Sequence, residues 1–105
     1  MATSIEYIEF VCEQLRGDCD ITYKKMFGDY TVYANGKPIL LVCDNTVFVK
    51  KLPALADLLD GAPCGFPYDG AKEHYILDIE NSELTAEVVA VLEKITPLPK
   101  KKTRN

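Results

Sequence analysis

Four cysteines and one histidine are the residues of this chain whose types could do redox, nucleophilic or metal chemistry: Cys12, Cys19, Cys43, Cys64 and His74. A zinc ribbon or finger needs cysteines paired at C-x₂₋₄-C so that two thiolates reach one ion. The gaps here are seven, twenty-four and twenty-one positions, and His74 stands alone beside Glu73, so neither a metal site nor a general base with its partner is expected. A bridge between Cys12 and Cys19 would span about 10 Å of helix and its exit, beyond disulfide reach. Cys64, in Pro63-Cys64-Gly65, is the candidate reactive thiol, for which a lowered pKa requires a helix N-terminus or a nearby cation. Lys72 is the nearest cation beyond it in sequence. A thiol-based redox sensor centred on Cys64 is therefore one alternative function. Gly28 and Gly36 form no Gly-x-Gly-x-x-Gly or Gly-Lys-Ser/Thr phosphate loop. The expectation is a non-catalytic chain with no cofactor and no metal.

The remaining composition is that of one ordinary globular domain: 105 residues, 48% hydrophobic and 27% charged. There is no run of eighteen apolar residues, and the first helix-like pattern carries Glu6, Glu9 and Glu13 in place of a basic flank. A cytoplasmic protein with reduced thiols is the corresponding expectation. The net charge of −4 is unevenly spread. Residues 1–99 hold sixteen acids and eight bases, a balance of −8, whereas Lys100, Lys101, Lys102 and Arg104 give the end +4. An acidic body repels phosphate backbones. Residues 97–105 read as a basic disordered tail after a domain over 1–96, and the four cations are the candidate nucleic-acid arm, the second alternative function. Any nucleic-acid contact is confined to that tail on this reading, and no membrane partner is expected.

The elements that must position these groups follow from periodicity. Thr3-x-x-Glu6 has the form of a capping box, and Ile5, Ile8, Val11, Cys12 and Leu15 recur at helical spacing. Strands are expected over Thr22 to Phe27, Tyr30 to Ala34, Ile39 to Cys43 and Thr46 to Lys51, with a hairpin at Asn35-Gly36 and a turn at Asp44-Asn45. Such short connections force antiparallel neighbours. The continuous apolar run Ile39 to Cys43 suggests a central strand covered on both faces. Pro53 opens a second helix ended by Gly61, with Leu52, Leu55, Leu58 and Leu59 on one side. Residues 61–72 form a loop pinned by Phe66 and Tyr68, Tyr75 to Ile79 is a fifth strand, and Asn81 or Ser82 caps a last helix through Ile95. The sum is a two-layer α+β domain in the order α-β-β-β-β-α-β-α: an antiparallel sheet of about five strands with helices on one face. What covers the other face, and where the fifth strand joins, stay open.

The segment Tyr23-x-x-Met26-Phe27-Gly28-x-Tyr30 is followed by Tyr33-x-x-Gly36-Lys37-Pro38, then Val47-Phe48-Val49-Lys50 and Tyr75-Ile76-Leu77. In these residues the chain resembles the N-terminal domain of the TfoX/Sxy family of bacterial competence regulators, over roughly residues 4–96. The resemblance implies a fold like that of the secretion-chaperone group and a link to control of DNA-uptake genes through a transcription activator. It brings no catalytic residues. The regulators carry a second, C-terminal domain that these residues do not match, so a stand-alone copy of the first is expected.

Met26, Phe27, Gly28, Tyr30 and Tyr33 are the candidate partner contacts. A Met-Phe pair beside a glycine offers adaptable apolar area, and strand alternation sends one of two neighbours outward. The basic pairs Lys24-Lys25 and Lys50-Lys51 split between the two faces for the same reason. A protein partner, within the transcription machinery by the resemblance, is expected, and a homodimer through a sheet face or edge is open.

Overall fold

The computed structural model describes residues 3–15, 20–26 and 29–96. Helix α1 spans Ile5–Leu15, strands β1 to β4 span Ile21–Met26, Asp29–Ala34, Lys37–Cys43 and Thr46–Lys50, β5 is Cys64–Gly65, β6 is His74–Ile76, and α2 is Ser82–Ile95. The strands form one antiparallel sheet in the order β1-β2-β3-β4-β6-β5. The architecture is α+β in two layers, with helices and sheet sharing one core.

Turn chemistry fixes the meander. Asn35 and Gly36 have φ of 53° and 82°, and Asp44 and Asn45 have 52° and 53°. Both pairs thus take the positive φ that a two-residue type I′ hairpin demands, which Asn, Asp and Gly adopt at least cost. The β2–β3 ladder shifts register between Val32 and Tyr33: Val32 pairs with Leu40 but Tyr33 with Pro38, which leaves Ile39 as an extra residue. This bulge lets the sequence neighbours Ile39 and Leu40 both enter the core, at 6% and 2% exposure. The continuous apolar run thus has a different cause from the two-sided cover expected of it.

Helix α1 starts one residue later than the capping box implied. Ser4 is the capping residue, its Oγ accepting from the Tyr7 N–H at 3.1 Å, while its own N–H donates to Asn45 Oδ1 at 3.0 Å. Thr3 instead bolts the chain to the sheet: its buried hydroxyl accepts from the Asn45 N–H and lies within bonding distance of the Val42 carbonyl, both at 3.2 Å. The second helix shrinks to a 3₁₀ turn, Pro53–Leu55, continued by turns to Gly61, whose φ is 83°. A segment this short cannot repay helix nucleation, yet Leu55 and Leu59 still bury completely. The expected loop contributes the two-residue strand β5, and the fifth expected strand pairs with β4 as β6 over His74–Ile76. Asn81 caps α2 by accepting from the Leu84 N–H at 3.2 Å.

The core lies between helices and sheet. Ile8, Val11 and Leu15 of α1 and Val88, Val89 and Leu92 of α2 pack with Val32, Leu40, Val42, Val47, Val49 and Leu77. Full burial of a Val or Leu side chain is worth about 1.5–3 kcal/mol, so this seam dominates the stability.

Candidate functional site

Strand alternation sends a second set of side chains to the opposite side of the sheet. One row of cross-strand neighbours runs Lys24, Thr31, Leu41, Phe48, Ile76, each paired with the next. Tyr33, Cys43 and His74 share that side by register. Leu41, Phe48, Cys43, Ile76 and Tyr33 belong to no part of the core cluster that the helices cover. Among the described residues no helix lies over this outer face.

The groups singled out for chemistry are placed as follows. His74 is 7% exposed, its Nδ1–H donates to the Lys72 carbonyl at 2.7 Å, and its ring meets Phe48 edge-on at 6.4 Å. Its Nδ1–H is satisfied by that carbonyl. Among the described residues no three His, Cys, Asp or Glu side chains group closely enough to hold a metal ion. Cys43 is buried, and its thiol is pushed up to about 11, by burial first and by neighbouring Asp29 next. Cys64 is half-buried and donates to the Ala62 carbonyl at 3.6 Å. The cation beside it is Lys51, not Lys72. Lys51 bonds Glu73 at 2.9 Å and stands 5.3 Å over the Tyr75 ring, and Glu73 first and the Cys64 thiol second raise its ammonium pKa.

Of the candidate contacts, Tyr30 is 5% exposed and packs edge-on to Tyr23 at 5.4 Å, so its ring serves the core and not an outer surface. Tyr33 is half-buried on the outer face. Met26 closes β1 in register with Asp29. Phe27, Gly28 and the cations Lys100, Lys101, Lys102 and Arg104 lie outside the described residues, as does Cys19.

The most exposed aromatics fall elsewhere. Phe66 and Tyr68 are 62% and 59% exposed, contrary to the expectation that they pin their loop. Pro67 between them is buried, and the His74–Lys72 bond anchors the loop's far end. Nothing in the spacing of Phe66-Pro67-Tyr68 announces this inversion, since aromatics in a punctuated loop usually point inward. Two grooves open on the helical side. One, of about 540 Å³, lies between α1 and β1 and presents Glu6, Glu9 and Glu13 beside Phe10 and Tyr23. The other, of about 550 Å³, lies between the 3₁₀ segment and α2 and is lined by Ala54, Asp57, Leu58, Glu87, Ala90 and Val91.

The chain that builds this two-layer α+β domain matches a known family along most of its length. The TfoX N-terminal domain model matches residues 13–94, and the chain belongs to that family. It is also 29% identical over 102 residues to the "Uncharacterized 12.7 kDa protein in trpE 5′region" of Spirochaeta aurantia, covering 95% of this chain and 89% of that protein. No solved structure matches. No helix among the described residues is long and apolar enough to cross a membrane.

Proposed function

We propose that this chain is a non-catalytic regulatory domain that acts by binding another protein, in the transcription control of DNA-uptake genes. Family membership supports the regulatory setting. The observation that carries the binding role is the exposed pair Phe66 and Tyr68 on a loop held at both ends. Large aromatic side chains presented on a fixed backbone are the usual anchors of protein interfaces, because little conformational freedom is lost when they dock.

The test is capture of partners by the tagged full chain from its host's lysate, with and without nuclease, beside the Phe66→Ala/Tyr68→Ala double variant. A protein partner that survives nuclease and is lost with the double variant is the expected result. Recovery that vanishes with nuclease would transfer the function to nucleic acid. The double variant should also fail to restore expression of DNA-uptake genes in a deletion strain.

One observation favours a second reading, a thiol-based sensor at Cys64: the Lys51 ammonium stands beside that thiol. Mild peroxide followed by mass spectrometry tests it. A Cys64 oxidised no faster than the other thiols would rule it out.

A further inference from the structure

The sheet ends in two unlike edges. β5 is two residues long, whereas β1 presents six, and no described residue pairs with β1 on the side away from β2. The Asn35 N–H donates to the Asp20 carbonyl at 2.8 Å, so residue 20 turns its carbonyl towards β2. In an antiparallel ladder the residues that do so alternate. Thr22, Lys24 and Met26 therefore bond β2, and the N–H and C=O groups of Ile21, Tyr23 and Lys25 point to the open side. Beside that edge, Tyr23 and α1 line the groove of about 540 Å³. Glu6, Glu9 and Glu13 are exposed along it, none with an ion-pair partner among the described residues, next to the exposed rings of Phe10 and Tyr23.

We propose that the chain's own basic end, Lys100 to Asn105, adds to the open edge of β1 as a parallel seventh strand, with Lys102 and Arg104 on the groove side. Charge, alternation and reach select this occupant. Three carboxylates without cations favour a basic strand, and Lys100, Lys102 and Arg104 recur at every second residue, so an extended chain sets them all on one face. Register follows from charge. With Lys102 beside Ile21 and Arg104 beside Tyr23, the guanidinium lies against the Tyr23 ring and within reach of the α1 carboxylates. On the other face Lys101 falls beside Asp20, Thr103 beside Thr22 and Asn105 beside Lys24. The outward groups of Ile21 and Tyr23 then bond Lys101, Thr103 and Asn105, as a parallel ladder requires. A register two residues further along β1 would set Arg104 beside Lys25, and like charge disfavours it.

The path is short. Asn35 joins its two ends, bonding Asp20 at the start of β1 and, through Nδ2, Glu93 in the last turn of α2 at 3.3 Å. Because α2 ends at Ile95, the basic end leaves the fold beside the start of β1 and must run in β1's own direction. A seventh strand lies two strand spacings from β2, about 10 Å. The steps from Thr96 to Lys101 extend about 17 Å, enough to turn the corner and begin pairing at Asp20. So short a tether holds the chain's own end at an effective concentration in the millimolar range, ahead of a second copy's. The edge is thereby closed to pairing with other chains, and the cations are withheld from phosphates.

Native-state amide exchange of the ¹⁵N-labelled full chain, read by NMR, tests the proposal. The Ile21 and Tyr23 amides should exchange about tenfold or more slowly than in the full-length Lys102→Glu/Arg104→Glu variant, while those of Thr22 and Lys24, bonded to β2, should be the same in both. Glu9→Lys/Glu13→Lys, at two exposed positions of α1, should release the same two amides. Combining all four substitutions exchanges the charges and should restore their protection. Equal exchange at Ile21 and Tyr23 in the native chain and in Lys102→Glu/Arg104→Glu would overturn the proposal. So would protection that grows with protein concentration, which would assign the strand to a second copy, or protection that the combined variant fails to restore.

Discussion

The Lys37 ammonium donates to the Glu93 carbonyl at 2.7 Å and stands 3.2 Å from the same residue's carboxylate, so one cation closes the last turn of α2 and ties it to the β2–β3 hairpin. Asn35 Nδ2 donates to that carboxylate at 3.3 Å. A cation at a helix C-terminus meets the negative end of the peptide dipoles. Lys37→Ala should cost about 1 kcal/mol in urea unfolding at neutral pH. Asn35 first and Lys37 next hold the Glu93 carboxyl below its ordinary 4.5. The carboxylate's share is therefore present above that value and lost as pH falls through the lowered one. The gap between wild type and Lys37→Ala should narrow in acid.

Thr3 and Ser4 are adjacent hydroxyls with separate tasks. Ser4 caps α1, and Thr3 fastens the chain to the β3–β4 turn. Ser4→Ala should cost about 1 kcal/mol. Thr3→Val preserves shape but leaves the Asn45 N–H without its acceptor, and should cost about 1–2 kcal/mol. Chemical denaturation of both variants gives the comparison, and a Thr3→Val loss near zero would contradict the anchoring role.

Cys43 should make stability fall in alkali. Its thiol pKa lies near 11 in the folded chain against an ordinary 9.0, because burial and Asp29 disfavour the thiolate. A group whose folded pKa is raised contributes fully below the ordinary value, and that contribution disappears as pH rises from 9 to about 11. Cys43→Ala should flatten this slope. In native alkylation at mildly alkaline pH, the half-buried Cys64 should react before Cys43.

Gly65 is needed for space and Gly61 for backbone conformation. A Cβ at position 65 would lie 3.2 Å from Ile76 Cδ1 and 3.4 Å from Phe48 Cε1, whereas one at 61 would meet nothing but sit at φ +83°. Each Gly→Ala change should cost about 1 kcal/mol. The two costs separate in a double-mutant cycle: Ile76→Val should relieve Gly65→Ala but leave Gly61→Ala unchanged. Equal coupling in both cycles would refute the steric account.

The parts of the fold legible in the sequence are those set by local chemistry. Asn35-Gly36 and Asp44-Asn45 name their turns, and the 3.6-residue spacing of Leu84, Val88 and Leu92 names α2. The bulge at Ile39 was not legible, because an extra residue in one strand is defined only against its partner. Neither was the loss of the second helix, because tertiary packing buries Leu55 and Leu59 at the same spacing that a helix would produce. For the outer surface, sequence alternation split Lys24 from Lys25, which stand in register with Thr31 and Tyr30. It could not place Lys51 beside Cys64, since that contact depends on β5 joining β6 at the sheet edge. Tyr30 and Phe66 exchanged expected roles for a related reason: exposure of a ring depends on what packs over it, and the chain close by in sequence does not specify that.

The two type I′ turns also order events in time. β2, β3 and β4 are neighbours in sequence and in space, so each pair can zip from its own turn on the microsecond scale without closing a large loop. β6 reaches β4 only after the chain from Lys50 to His74 has folded back, and the Lys37–Glu93 tie spans a sequence separation of 56. Loop-closure entropy places those contacts after the barrier. The folding nucleus thus falls in the β2–β3–β4 meander: Val47→Ala should slow refolding in a chevron, whereas Leu77→Ala should act chiefly by hastening unfolding.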